Sequence, residues 1–123
     1  MEKEYPIKKK KKEFFRAYIE MIRPFLKGIS NREADIFSEI IYQSFKRVEI
    51  KDKKDRFKLI LSNEGRTEIE ERLNISRATL RNGVCSLKAK GLIRQDNTIH
   101  DAYLIEPTGE KASIKFTFEL END

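Results

Sequence analysis

Cysteine occurs once in this chain, at Cys85, and histidine once, at His100. A single thiol excludes an internal disulfide and fits a reducing compartment. Metal sites need several clustered ligands, and nucleophilic catalysis needs a thiol or hydroxyl beside a base; neither spacing surrounds these two residues. Gly28, Gly65, Gly83, Gly91 and Gly109 are scattered singly, so no phosphate-cradling loop is present. No apolar run approaches the roughly 18 residues of a membrane span, and the N-terminus lacks the apolar stretch of a secretory signal. The expectation is a cytoplasmic, soluble protein without cofactor, metal or enzymatic activity.

What is abundant is charge. The chain of 123 residues holds 26 bases and 21 acids, with eight Phe and four Tyr to build a modest core. That aromatic content offsets the entropy of ordering and argues against disorder, and the length fits one domain. Bases and acids are not evenly spread. Residues 1–60 carry 17 bases and 10 acids, whereas residues 61–123 carry 9 and 11. The front excess centres on Lys8, Lys9, Lys10, Lys11 and Lys12, a run of like charges that reads as a basic arm over residues 1–12. The second half is slightly acidic, yet residues 74–93, "NISRATLRNGVCSLKAKGLI", contain Arg77, Arg81, Lys88 and Lys90 and no acid at all.

Periodicity places that stretch on a helix-turn-helix. Residues 13–47 read as two N-terminal helices, the first at about 11–23 with Phe14, Phe15, Tyr18, Ile19, Met21 and Ile22 on a wide apolar face, ended by Pro24. The second starts at Ser30, whose partner Glu33 completes a capping box, and runs to about 47 with Phe37, Ile40, Ile41 and Phe45 inward. Phe57, Leu59 and Leu61 alternate with Lys58 and Ile60, the pattern of a short strand after a charged turn at 51–55. Residues 63–73 form a short helix burying Ile69 and Leu73. Asn74 suits a left-handed turn, and Ser76 caps a helix from Arg77 to about Lys90 with Leu80, Val84 and Leu87 inside. Gly91 ends it. A hairpin around Asp96-Asn97, a turn at Pro107–Glu110 and the strictly alternating "SIKFTFEL" then predict a wing and C-terminal strand over 91–123. The fold class expected is mainly α with a small β-sheet. In full it is one winged helix-turn-helix domain over 13–123, with an N-terminal helical extension and the helix-turn-helix at 63–90.

The run "ISRATLRNGVCSLKAKGLI" resembles the recognition-helix segment of GntR-type winged-helix transcription regulators, in the Ser-Arg-x-Thr-x-Arg opening and the Gly-Leu-Ile close. Ser76, Arg77, Thr79, Leu80, Arg81, Leu87, Gly91, Leu92 and Ile93 match as they stand. The resemblance implies that Arg77, Thr79 and Arg81 meet bases and phosphates. Gly83 departs from it, standing where that family has Ala. Glu70 departs too, standing where the family places a small residue against the core. The order of helices, winged helix and short tail also resembles small phage-encoded proteins.

A helix lying in a DNA major groove cannot carry acids on its outer face, because each would approach phosphates. The acid-free window therefore points to double-stranded DNA as partner and to regulation of transcription or replication. Candidate contacts are Arg66, Thr67, Ser76, Arg77, Thr79, Arg81, Asn82, Lys88 and Arg94, with Lys111 near a second turn and Lys8–Lys12 as an arm. For Arg77 and Arg81 the competing expectation is pairing with Glu68, Glu70 or Glu71 of the preceding helix. The N-terminal helices offer a possible homodimer surface, with burial inside the domain as its alternative. The rival reading of the whole chain is a structural or adaptor component of a larger protein assembly.

Overall fold

The computed structural model describes all 123 residues and contains five α-helices. The first, α1 (Lys11–Ile22), buries Phe15, Tyr18, Ile19 and Ile22, at helical spacing. Met21 turns outward. A 3-10 turn over Arg23–Phe25 contains Pro24, which cannot continue the hydrogen-bond ladder. Lys11 and Lys12 of the expected arm thus open a helix, while residues 1–10 are exposed and non-helical.

Helix α2 (Asn31–Phe45) is the centre of the molecule. Its start is fixed by the capping box: Ser30 Oγ accepts from Glu33 N at 3.1 Å, and Glu33 Oε1 accepts from Ser30 N at 2.8 Å. Ala34, Ile36, Phe37, Ile40 and Ile41 are all fully buried because α2 touches α1, α3, α4 and α5. Covering a side chain such as Phe37 contributes about 1.5–3 kcal/mol, so this helix is the main source of core stability. The apolar faces of α1 and α2 are largely buried inside the domain, with Met21 of α1 left exposed.

The next segment corrects the expected strand at 57–61. It is a helix, α3 (Lys53–Ile60), opened by Asp52, whose side chain accepts from Asp55 N at 3.1 Å. The alternation of Phe57, Leu59 and Leu61 would have placed all three inward. Instead Arg56, Phe57 and Ile60 are buried at helical spacing and Leu59 points to solvent. The decisive interaction is remote in sequence. Arg56 is almost fully buried and donates to Ile50 O at 2.8 and 3.0 Å, to Ser44 Oγ at 3.3 Å and to Glu106 Oε1 at 2.5 Å. A buried guanidinium needs such a set of acceptors, and in the helical register it has them.

Helices α4 (Asn63–Leu73) and α5 (Arg77–Ala89) follow as expected. The wing and sheet do not. The turn around Asp96-Asn97 forms and is closed by one antiparallel bridge, Ile93 with Ile99, and a second isolated bridge joins Thr108 to Lys111. No sheet exists, and the expected C-terminal strand at 113–120 pairs with nothing. The correction has a physical cause. A two-stranded ribbon is marginal alone and needs a third strand or a covering helix. The segment at 57–61 that would supply that strand is helical. The molecule is therefore all-helical, with residues 91–123 wrapping it as an irregular layer: Tyr18 Oη donates to Tyr103 O at 2.8 Å, and Leu104, Ile105 and Ile114 rest on the core.

Candidate nucleic-acid interface

The turn between α4 and α5 is built by backbone geometry. Asn74 adopts φ 53°, ψ 54°, the left-handed conformation that Asn tolerates better than most residues. Ile75 N then donates to Glu70 O at 3.0 Å and Asn74 N to Glu71 O at 3.4 Å, a Schellman closure of α4. Ser76 stops the turn by accepting from Thr79 N at 3.1 Å, and its hydroxyl donates to Thr79 Oγ1 at 2.9 Å. α5 starts with its direction set. At the far end Gly91, φ +79°, and Leu92 donate to Lys88 O and Leu87 O, each at 3.0 Å, a second Schellman closure.

The buried stripe of α5 is Leu80, Gly83, Val84 and Leu87. Gly83 explains its departure from the GntR-like pattern. A Cβ there would stand 2.3 Å from the Cδ1 of Ile36, so glycine lets α5 and α2 approach more closely than alanine would. Two ends of these helices are also clasped. Glu33 accepts from Ser86 Oγ at 2.6 Å and from Lys90 Nζ at 2.8 and 2.9 Å. Burial alone would raise its carboxyl, but bonds from Lys90, Ser86 and Ser30 prevail and hold it down at about 2.

The opposite stripe faces solvent: Ala78, Arg81, Asn82, Cys85 and Ala89 are exposed, and Lys88 is half-buried. Arg81, Asn82 and Lys88 form no side-chain hydrogen bond or ion pair within the chain; the bonded cations of α5's ends are Arg77 and Lys90. Small Ala78, Cys85 and Ala89 between them keep the face low. The charges of the stretch do not reveal Ala78 and Ala89 as part of this face, and Cys85, which as a lone small residue would be expected to pack inward, is exposed here.

Arg77 goes elsewhere. Its Nε bonds Glu70, its Nη1 donates to Asn63 Oδ1 at 2.8 Å, and its Nη2 donates to Thr67 Oγ1 at 3.0 Å and Asn63 O at 3.3 Å. Glu70, the other departure from the GntR-like pattern, is the acid that holds it. Thr67 is thereby occupied as well, and its own hydroxyl donates to Asn63 O at 3.0 Å. Arg66 Nε donates to Leu61 O at 2.8 Å. Arg77, Thr67 and Arg66 thus fix α4 to its neighbours. Arg94, at the turn after α5, lies 3.3 Å from Asp101, whose carboxyl is lowered by Lys53 and Arg94 together. Lys53 and Lys54 pair with Asp101 and Asp96 around the same turn, so it carries mixed charge. Asn63 is a structural partner that the sequence pattern does not mark, and Lys90, a cation suited to the C-terminal end of α5, pairs with Glu33.

Lys8–Lys12 are exposed, and none forms an ion pair; Lys111 is likewise exposed. No helix is long and apolar enough to cross a membrane. Compared with known families, curated proteins and solved structures, the chain gives no match in any of the three.

Proposed function

We propose that this chain binds double-stranded DNA through the α4–α5 helix-turn-helix and acts in the regulation of transcription or replication. The observation that carries this reading is the outer face of α5, acid-free, low in profile, and bearing Arg81, Asn82 and Lys88 with all their donors unused. Arg81 has the fork geometry for the O6 and N7 of guanine, and Asn82 the amide for adenine; each good bidentate contact is worth about 1–3 kcal/mol of discrimination. Lys88 and the arm at Lys8–Lys12 supply phosphate contacts whose strength falls with salt. Arg77 is a positioning residue: it ties the first turn of α5 to α4 and leaves Arg81 to read. The GntR-like spacing of Ser76, Arg77, Thr79 and Arg81 adds support for a helix of this use.

The test is selection from a pool of random duplex DNA at two salt concentrations, followed by sequencing. An enriched motif whose binding weakens as salt rises supports the reading. Arg81→Ala is expected to weaken binding to that motif by about tenfold to a hundredfold with helical content unchanged. A second reading, a component of a larger protein assembly, is favoured by the exposed Phe118 and Leu120. Retention without enrichment, insensitive to Arg81→Ala, would put that reading first.

A further inference from the structure

Residues 113–120, Ser-Ile-Lys-Phe-Thr-Phe-Glu-Leu, alternate apolar and polar side chains with the period of a strand. In the folded chain no backbone hydrogen bond ties residues 112–123 to anything. The apolar row is only partly housed. Ile114 rests on the core, and Phe116 stacks on Phe25 with ring centroids 5.7 Å apart. Phe118 and Leu120 remain 88% and 93% exposed, and Phe25 itself is 70% exposed. Unpaired amides and carbonyls beside a row of apolar side chains are the properties of an open strand edge, which recruits another strand.

The chain offers that segment no internal strand, since its two β-bridges are isolated. The sequence of the segment indicates what does fit. Laid antiparallel to itself about a two-fold axis through Thr117, it places Lys115 opposite Glu119 of a second copy, Phe116 opposite Phe118, Ile114 opposite Leu120, and Thr117 opposite Thr117. This register brings all four apolar residues against apolar residues on one face and opposite charges together on the other. Aromatic, threonine and opposite-charge pairs are the cross-strand combinations that stabilise a ribbon. A slip of one residue would set every apolar side chain against a polar one. The only present partner of Lys115 is Glu2 at 3.3 Å, both side chains being more than three-quarters exposed, a contact readily exchanged.

We infer that two copies of this chain associate through residues 113–120, paired antiparallel across a two-fold axis at Thr117. Such an interface is isologous, so each contact occurs twice and the assembly closes as a dimer. Phe25 of each copy, already stacked on Phe116, ties the ribbon to the helical body, and Ile114 anchors it on the core, so the pair does not stand alone. The association is independent of DNA binding.

Sedimentation velocity on the full chain over a range of concentrations tests it. The expected result is a reversible monomer–dimer equilibrium. Lys115→Glu alone and Glu119→Lys alone should each weaken the dimer by about tenfold, because the like-charge contact is repeated across the axis. An equimolar mixture of the two variants should form heterodimers in preference to either homodimer, read by native mass spectrometry, since every cross-pair is then opposite in charge. Both positions are exposed, so circular dichroism should be unchanged. A chain that stays monomeric at every concentration overturns the inference and leaves the tail to a different protein. A dimer indifferent to both substitutions, or a mixture with no heterodimer preference, overturns it equally.

Discussion

The helix-turn-helix at 63–89 and the layer at 91–123 carry equally regular patterns, yet only one of them becomes regular structure. In α4 and α5 every pattern has a local partner. Ser62 and Ser76 cap α4 and α5, Asn74 and Gly91 close the same two helices within five residues, and the buried stripe of Leu80, Val84 and Leu87 belongs to a helix packed on α2. In the later segment the alternation of Ile114, Phe116, Phe118 and Leu120 asks for hydrogen bonds from another strand, and the chain has none to give. A helix satisfies its own backbone, whereas a strand depends on a neighbour.

Substitutions can sharpen that contrast. The largest effect belongs to Leu80→Ala, which opens a cavity at a fully buried site between α5 and α2. It should cost about 3 kcal/mol in urea denaturation. Next is the clasp at the ends of α2 and α5. The folded-state carboxyl of Glu33 titrates at about 2 against an ordinary value of 4.5. Its contribution is complete above the ordinary value and disappears as pH falls from about 4.5 to about 2. Glu33→Gln should flatten the stability–pH curve in that window, removing on the order of 2 kcal/mol of the stability change across it. Arg77→Ala should cost about 1 kcal/mol by breaking the α4–α5 tie, while Arg81→Ala, one turn further on, should leave the urea midpoint within error. The smallest effect is Phe118→Ala. Measured at concentrations too low for association, it should change stability by less than about 0.5 kcal/mol, although it removes a phenylalanine.

Much of the helical half was readable in the sequence because its determinants are local. The Ser30–Glu33 capping box, the left-handed Asn74, the Ser76 cap and the buried stripe of α5 all follow from residues within one or two turns of each other. Arg77 illustrates the limit. Its side chain suits a carboxylate such as Glu70 as well as a phosphate, and the further bonds to Asn63 and Thr67 arise only once α4 has folded. The misread strand at 57–61 failed for a longer-range reason. Over so short a run as Phe57, Leu59, Ile60 and Leu61 the period fits either a strand or a helix, and the partners of the buried Arg56, among them Glu106 50 residues away, are not visible locally. With that strand lost, the wing lost its sheet. The apolar stripe and the Ser76 cap mark α5 as a helix, whereas what its individual side chains touch depends on α2 and α4.

The position of the unpaired tail downstream of every helix also sets an order in time. During synthesis residues 11–89 emerge from the ribosome before residues 113–120, and their contacts can form without the tail because α2 already meets α1, α3, α4 and α5. The segment that leaves Phe118 and Leu120 open to solvent is therefore presented by a chain whose core is able to close first. Nascent chains on one messenger would meet as folded bodies offering a single complementary strand rather than as tangled intermediates. Moving the same eight residues ahead of α1 would reverse that order and expose the strand while the core is still unformed.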